Sequence, residues 1–297
     1  MISIVIPVYN DSNGLYATLY SIVKIDYQKN DYEIIIVDNG SSDQTLKVSG
    51  IFKKRHPGLI KILQEKSIQS SYAARNKGVM LARGSIIIFI DSDMHVDHDW
   101  LKKIKNSMEE NKVDYLAYNV KMVLKNRNIF SLYNAATGFP VCKYINKENF
   151  APTCCLAVKS IVFKKAGLFD SRLISGGDNE FGKRVNSMGF RQYYDPGINV
   201  YHPADISFSK SMKRWFRSGR GSFQKYHFHN NYYNHLYLNI FNPYHYMLPR
   251  PSKFLEIVRE NDTWKNIKNS TRLCLYFIQW IVKIIRTIGY AYEKTRI

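Results

Sequence analysis

The chain has 297 residues, a net charge of +19 and 45% hydrophobic residues, a composition that indicates a folded globular protein and excludes a disordered one. Its four cysteines contain no CxxC pair and no Cys/His zinc spacing, so the pattern favours neither a disulfide framework nor a structural zinc module. We therefore expect a protein of a reducing compartment, the cytoplasm.

The positive charge is concentrated towards the C-terminus. Residues 206–297 carry a balance of +12 and residues 1–205 a balance of +7. A basic segment of this kind suits nucleic acid, anionic lipid or a phosphorylated substrate, and a basic surface kept for solubility would look the same.

Four continuous apolar runs in the first hundred residues predict buried strands, at 2–8, 33–37, 59–63 and 86–90. Amphipathic stretches between them predict helices that start near residues 12 and 42 and cover 71–82. Buried strands that alternate with helices are typical of a parallel sheet covered on both faces.

The remainder of the chain is predicted to be mixed. Helices are expected at 100–110, 160–166, 178–188 and from 263 to the end. Strands are expected at 115–124, 151–158, 190–194 and 198–202, and residues 126–149 are expected to be irregular or to form short helices.

Polar side chains follow three of the predicted parallel strands. Asn10 and Asp11 follow the first, Asp38 ends the second, and Asp91 and Asp93 follow the fourth. The carboxyl ends of such strands meet at one edge of the sheet, where ligands bind. Carboxylates crowded together need a compensating cation, and oxygen ligands suit Mg²⁺ or Mn²⁺. A solvated turn is the plainer alternative for Asp91 and Asp93.

Five motifs in a fixed order carry a resemblance to a known family. They are Ile6-Pro7-Val8-Tyr9-Asn10, residues 37–43 (VDNGSSD), residues 74–78 (ARNKG), Asp91-Ser92-Asp93, and residues 176–180 (GGDNE) with Arg184. The chain in this respect resembles the family 2 glycosyltransferases over about residues 3–221. The resemblance implies an α/β GT-A fold, with a mostly parallel central sheet flanked by helices. It implies a nucleotide-sugar-binding catalytic domain at 1–205, followed by a basic, aromatic-rich, mainly helical region at 206–297.

The same resemblance implies an inverting transfer of one sugar from a nucleotide-diphosphate sugar to a hydroxyl of a glycan or lipid-linked acceptor. Asp38 is expected to accept a ring N–H of the base, from uracil and equally from thymine or guanine. A UDP-sugar is the favoured donor. The nucleotide-sugar site is expected to include Pro7, Val8, Tyr9, Asn10, Asp11, Asp38, Arg75, Asp91, Ser92, Asp93, Arg217 and Arg220.

The divalent ion, Mn²⁺ or Mg²⁺, is expected to be bound by Asp93, with Asp91 holding the ribose, a metal-bound water or the ion itself. His202 would complete the metal site. Asp178 is the expected general base, at the start of a helix that would keep it ionised. The family usually has an acidic residue where Gly177 stands, so Glu180 remains a competing candidate.

The C-terminal region leaves more alternatives open. Arg217 and Arg220 are expected to clamp the diphosphate. The Gln/Arg-x-x-Arg-Trp motif of processive polymerases is absent, so a single transfer is expected. The basic amphipathic helix near the end suits an anionic membrane at the cytoplasmic face, its own core, or a partner copy.

Two other functions compete with glycosyl transfer. A sugar-nucleotide-forming nucleotidyltransferase shares the sheet and the metal chemistry, but it should open with a Gly-rich phosphate loop, and residues 2–14 have none. A non-enzymatic membrane-binding or nucleic-acid-binding protein would explain the charge, although clustered acids at strand ends repel phosphate, so no nucleic acid is expected.

Overall fold

The computed structural model describes residues 1–204, 206–233, 235, 238–259 and 261–297. The chain divides into two compact units. The first comprises Met1–Lys121, Val141–Arg172 and Gly177–His202, and the second comprises Met122–Pro140, Leu173–Gly176 and Pro203–Ile297. The last segment of the second unit thus begins close to the boundary expected at 205/206, but that unit also takes in two earlier segments.

The described strands form one eight-stranded sheet in the order β3-β2-β1-β4-β7-β6-β8-β5. In chain order they are β1 (Ile2–Val8), β2 (Tyr32–Asp38), β3 (Ile60–Gln64), β4 (Ile86–Phe89), β5 (His95–Val96), β6 (Tyr115–Val123), β7 (Leu156–Lys159) and β8 (Gln192–Pro203). β1 pairs in parallel with β2 and β4, and β2 with β3. β7 is antiparallel to β4 and β6, and β5 is antiparallel to β8.

Thirteen α-helices lie among the described residues. They are α1 (Ser12–Ile22), α2 (Thr45–Arg55), α3 (Ser71–Leu81), α4 (Trp100–Glu110), α5 (Ile129–Thr137), α6 (Val141–Glu148), α7 (Ser160–Ala166), α8 (Gly177–Ser187), α9 (Phe208–Phe228), α10 (Asn230–Tyr233), α11 (Pro251–Val258), α12 (Asp262–Lys265) and α13 (Asn269–Lys294).

The core of the first unit lies on the central strands. Every residue of β1 and of β2 is buried. Helix α3 packs closely on β1 because Gly78 has no side chain: a Cβ there would lie 2.4 Å from a methyl carbon of Val5. This close approach carries the polar side chains of α3 to the carboxyl ends of the strands.

The second unit has its own apolar core, built from α5, α9, α11, α12 and α13. Its buried members are Leu132, Tyr133, Ala136, Trp215, Phe254, Val258, Trp264, Leu275, Ile278 and Val282. Helices α9 and α13 cross with their backbones in contact. A Cβ on Gly219 would lie 2.0 Å from the carbonyl oxygen of Arg286, and a Cβ on Gly289 would lie 2.2 Å from that of Phe216.

The predicted fold class, an α/β sheet flanked by helices with a helical C-terminal region, is confirmed. Its first four core strands are parallel, and the later strands add antiparallel pairs.

The stretch 126–149, predicted to be irregular or to form short helices, contains the short helices α5 and α6; Asn128 caps α5 by accepting from the amides of Phe130 and Ser131. Two local predictions need correction. The two short strands predicted at 190–194 and 198–202 form the single strand β8, in which Asp195 accepts from the amide of Gly197 at 2.8 Å. The long helix predicted from residue 263 is two helices, α12 and α13.

Candidate active site

The loops after β1 and β2 are joined to each other by hydrogen bonds. Val8 and Asp38, the last residues of these strands, are register partners. Asn10 adopts a left-handed backbone conformation, with φ of 48°. Its amide donates to the Ser41 hydroxyl at 2.9 Å, and its Oδ1 accepts from the Ser42 amide at 2.8 Å. The two loops therefore form one rigid rim at the edge of the sheet.

Asp38 lies fully buried at this rim. Its two carboxylate oxygens each lie 3.3 Å from the amide nitrogen of Ser41, which donates to them. Pro7 and Val8 are buried beside it, whereas the Tyr9 ring is 51% exposed. An acceptor carboxylate beside an accessible aromatic face is suited to a planar base that carries an N–H donor.

Asp11 has two structural contacts. Its Oδ1 caps α1 by accepting from the Gly14 amide at 3.1 Å, and its Oδ2 accepts from the Ser92 hydroxyl at 3.0 Å. Asp11 thereby connects the loop after β1 with the Asp91-Ser92-Asp93 loop after β4. Ser92, predicted to contact the donor, faces Asp11 in this structure.

Arg75 on α3 joins the Asp91-Ser92-Asp93 loop from the other side. Its Nη2 donates to Oδ1 of Asp91 at 2.7 Å. The Arg75 side chain is only 6% exposed, and its buried Nε has no hydrogen-bond partner among the described residues. Buried guanidinium donors normally find an acceptor, so this nitrogen marks a place where a ligand oxygen would be stabilised.

Asp93 and His202 face each other across the site, with Oδ1 and Nε2 3.8 Å apart. This separation is too long for a hydrogen bond. It is short enough for both atoms to bind one ion, since two metal–ligand bonds of about 2.1 Å span up to about 4.2 Å.

The electrostatics of Asp93 also fit a cation. Burial raises the pKa of the Asp93 carboxyl above its usual range; His202 opposes this, and the charges of Asp91 and Asp11 add to it. A divalent ion would relieve that repulsion. Within the described ranges no group of three or more His, Cys, Asp or Glu side chains is already arranged around a metal position. Asp93 and His202 are thus a candidate pair of metal ligands, and an ion held by two side chains would have positions left for substrate oxygens and water.

Asp178, the expected base, lies in the first turn of α8 and contacts α3. The Tyr72 hydroxyl lies 3.5 Å from its Oδ1 and accepts from the Gly177 amide at 2.9 Å. A Cβ on Gly177 would lie 2.9 Å from the Tyr72 ring, so an acidic residue at that position would displace the tyrosine. Gly177, which departs from the family pattern, therefore leaves the space that the Tyr72 ring occupies.

Glu180, the competing candidate, is buried and fully engaged. Both of its carboxylate oxygens accept from Arg184, at 2.6 and 2.9 Å, and Arg184 also donates to the carbonyls of Ala166 and Leu168. The pair holds the loop before α8 in place. This assignment leaves Asp178 as the better placed base.

Tyr72 is the site residue that the sequence reasoning missed. It stands one helical turn before Arg75, so α3 presents a hydroxyl to Asp178 and a guanidinium to Asp91 from the same face. The available signal was the spacing of three residues between Tyr72 and Arg75 of the motif at 74–78. Asn76, next to Arg75, bonds both the amide and the carbonyl of Phe169, at 3.0 and 2.8 Å, and so fixes the segment that leads to α8.

Arg217 and Arg220, expected to clamp the diphosphate, lie on α9 in the second unit. Arg220 donates to Oε2 of Glu293 at 2.5 Å, and its guanidinium lies 5.5 Å from the centroid of the Tyr292 ring. Arg217 is exposed. In the described structure Arg220 therefore contributes to the packing of α13 on α9.

The site and the sheet together define a class of protein, an α/β enzyme fold with acidic strand ends and a candidate base on a facing helix. Residues 3–163 match the model of the glycosyl transferase family 2. AglE, a glycosyltransferase of Haloferax volcanii, is 33% identical over 224 residues, which are 75% of this chain and 73% of AglE. A Methanococcus voltae dolichyl N-acetyl-α-D-glucosaminyl phosphate 3-β-D-2,3-diacetamido-2,3-dideoxy-β-D-glucuronosyltransferase is 28% identical, covering 73% of this chain and 71% of that protein.

Among solved structures, the mannosyltransferase PcManGT of Pyrobaculum calidifontis, in complex with GDP-Man and Mn²⁺, has a TM-score of 0.67. It is 15% identical and the match covers 99% of this chain and 87% of that one. The chain belongs to the family 2 glycosyltransferases. It is a glycosyltransferase with the GT-A fold.

Proposed function

We propose that the protein transfers one sugar, with inversion, from a nucleotide-diphosphate sugar to a hydroxyl of a glycan or lipid-linked acceptor, with Mn²⁺ or Mg²⁺ bound. The observation that carries the proposal is the position of α3. One of its faces contacts both Asp91 of the acidic loop and Asp178 of α8. A donor site and a base are thereby held by one rigid element.

The donor nucleotide is assigned to the rim formed by β1 and β2. Asp38 would accept the ring N–H of the base, Tyr9 would stack on it, and a uridine diphosphate is favoured. The unpaired Nε of Arg75 would donate to a donor oxygen, and Asp91 would be held beside the ribose.

Asp93 and His202 would hold the divalent ion, with Asp91 near enough to contribute directly or through water. When bound, such an ion neutralises the charge that develops on the departing diphosphate. Asp11 and Ser92 would keep the loop in its binding conformation, since their hydrogen bond joins it to α1.

The acceptor is activated by Asp178. Its carboxylate would take the hydroxyl proton as the acceptor oxygen bonds to the anomeric carbon, while the bond from that carbon to the diphosphate breaks and its electrons leave with the phosphate. Placement in the first turn of α8 favours the ionised form, because the positive end of the helix dipole faces it. Attack opposite to the leaving diphosphate inverts the anomeric configuration.

The acceptor is proposed to be a glycan or a lipid-linked saccharide at the cytoplasmic face of a membrane. The dolichyl phosphate named for the Methanococcus voltae relative supports a lipid-linked acceptor. No nucleic-acid partner is proposed, because the acidic strand ends would repel a phosphate backbone.

Asp178→Asn tests the assignment of the base. With UDP-sugar, acceptor and Mn²⁺, the wild type should release nucleoside diphosphate and yield an inverted linkage by NMR. The variant should keep donor affinity within about twofold and lose turnover by about a thousandfold. Asp195→Asn is the matched control: it removes a carboxylate charge in β8, while its Oδ1 can still accept from the Gly197 amide. Unchanged turnover in Asp178→Asn would remove Asp178 from the mechanism. In a separate assay, release of pyrophosphate from UTP and a sugar 1-phosphate would indicate a nucleotidyltransferase instead.

A further inference from the structure

A continuous apolar stripe lies exposed on α13. Five of its side chains, spaced four or seven residues apart, are 40–57% exposed: Leu273, Phe277, Ile281, Ile288 and Tyr292. At 1.5 Å per residue the stripe is about 29 Å long. Apolar surface of this extent on a folded protein marks an interaction surface.

A second exposed apolar segment borders the stripe. The backbone of residues 244–249 is bound along α13: Trp280 donates to the carbonyl of Tyr246 at 2.7 Å, and Lys283 donates to that of Tyr244 at 2.5 Å. Within and next to this segment, Phe241 is 85% exposed, Met247 61% and Leu248 48%. The apolar surface is therefore wider than one helix.

The exposed charges of α13 itself are of one sign. The single acidic residue of α13, Glu293, is buried, and it accepts hydrogen bonds from Arg220 and Gln224. Arg286 and Lys294 are exposed on the same helix, whereas the exposed acids Glu256 and Asp262 belong to α11 and α12. An apolar stripe on a helix that exposes only cations complements an anionic lipid surface, and it would disfavour pairing with a second copy of itself.

We propose that this stripe, with residues 241–248, docks the protein in the plane of an anionic bilayer. The observations behind this surface concern α13 and residues 241–248, so they are independent of those behind the proposed transfer reaction. The proposal adds a partner, the lipid bilayer, to that reaction. The stripe enters the boundary between headgroups and acyl chains, while the basic side chains contact lipid phosphates.

Helix α13 is long and apolar enough to cross a bilayer, by length and composition alone. Its packing favours the in-plane position. Gly219 and Gly289 bring the α9 and α13 backbones into contact, and Leu275 and Val282 are buried in the core of the second unit. A spanning helix would abandon that core and place Lys283 and Arg286 near the bilayer centre, where each charge costs about 2.5–3.5 kcal/mol.

Vesicle flotation of the full chain tests the proposal without donor or acceptor, so its result is independent of the transfer reaction. The wild type should float with vesicles that contain about one-third phosphatidylglycerol and much less with pure phosphatidylcholine. Ile281→Glu should lower the partition coefficient about tenfold or more. Ile51→Glu on α2 should leave it unchanged; both isoleucines are 40% exposed, so the pair is matched for accessibility.

Three results would overturn the proposal. Equal flotation of the wild type and Ile281→Glu would remove the stripe from the interface. A wild-type dimer that Ile281→Glu dissociates, with no vesicle binding by either, would assign the stripe to a second copy. Bound wild type that resists an alkaline carbonate wash would indicate a spanning helix. Circular dichroism and UDP binding of each variant verify that the fold and the donor site persist.

Discussion

The hydroxyl of Tyr72 lies 3.5 Å from Oδ1 of Asp178, although the two residues are 106 positions apart in the sequence. The same hydroxyl accepts from the Gly177 amide at 2.9 Å. The Tyr72 oxygen acts as an acceptor for that amide, and the Tyr72 O–H can at the same time donate to the Asp178 carboxylate. Burial raises the pKa of Tyr72, and the charge of Asp178 adds to that effect, so the phenol stays protonated. Tyr72 is thus suited to position Asp178 and to stabilise its ionised form.

Tyr72→Phe removes this donor and keeps the ring. The Asp178 carboxylate loses a hydrogen bond that favours its charge, so its pKa should rise. The acidic limb of the pH–kcat profile should move to higher pH, and kcat at neutral pH should fall about three- to tenfold. The KM for the donor should change little. Steady-state kinetics across pH measure all three.

Tyr20→Phe, which alters a half-exposed ring on α1, is the control and should leave the profile in place. A purely structural role for Tyr72 would lower the melting temperature and leave the acidic limb where it was. That outcome would contradict the positioning role.

Arg75→Lys tests the guanidinium at the acidic loop. Lysine keeps the charge but supplies neither the forked donors nor the Nε, which has no partner in the part of the chain that the structure describes. We expect the Kd for UDP in the presence of Mn²⁺ to rise roughly tenfold, since a charge-assisted hydrogen bond is worth about 1.5–3 kcal/mol. Isothermal titration calorimetry measures this. Arg172→Lys, at an exposed ion pair with Asp170, should bind UDP as the wild type does.

Glu33 should make stability depend on acid pH. Burial acts to raise the pKa of its carboxyl, but hydrogen bonds from the Lys61 and Arg83 side chains, the Arg83 amide and Ser3 outweigh it and lower the pKa to about 2. The folded state therefore holds this proton less tightly than the unfolded chain. The stabilisation is fully present above about pH 4.5 and is lost as the pH falls from there towards 2.

Urea unfolding of wild type and Glu33→Gln measures that contribution. The variant should be less stable by about 2 kcal/mol at pH 7, after allowance for solvent screening at Lys61 and Arg83. The difference between the two proteins should shrink as the pH is lowered towards 3. A difference that stays constant with pH would show that the carboxylate charge contributes nothing.

Gly219→Ala should strongly destabilise the second unit. The new Cβ would meet the carbonyl oxygen of Arg286, a backbone atom that cannot move without separating α9 from α13. We expect a loss of about 1–3 kcal/mol or more in the free energy of unfolding. Gly50→Ala in α2, where a Cβ meets nothing within 4 Å, should instead stabilise the protein by about 0.5–1 kcal/mol. Thermal unfolding of both variants tests whether the two substitutions change the stability in opposite directions.

Sequence periodicity predicted the parallel half of the sheet well. The strands β1 and β2 are buried throughout, and continuous runs of Ile and Val are typical of such strands. The periodicity predicted β8 poorly, since Pro196 and Gly197 ordinarily end a strand, whereas here the strand continues through them and Asp195 accepts from the Gly197 amide. The sequence left short helices in 126–149 as one of two alternatives, because the polar residues around Asn128, which caps α5, are equally typical of a loop.

The acidic strand ends could be grouped from the rule for parallel sheets, and the structure brings Asp11, Ser92, Asp91 and Arg75 into contact. The neighbourhood of Asp178 could not be derived that way. Tyr72 and Gly177 are far apart in sequence, and nothing in either segment alone shows that the ring occupies the space of the missing side chain.

The claim on which the mechanism depends is that Asp93 binds a divalent ion shared with the donor diphosphate. Calorimetry of Mn²⁺ with UDP, for the wild type and for Asp93→Asn, tests it most directly. We expect Mn²⁺ to lower the Kd for UDP in the wild type. In Asp93→Asn this decrease should be lost, so that the Kd for UDP in the presence of Mn²⁺ is about a hundredfold higher than in the wild type. Chelation should abolish turnover until Mn²⁺ is restored. Equal metal-dependent binding by the two proteins, or full turnover after chelation, would contradict the account.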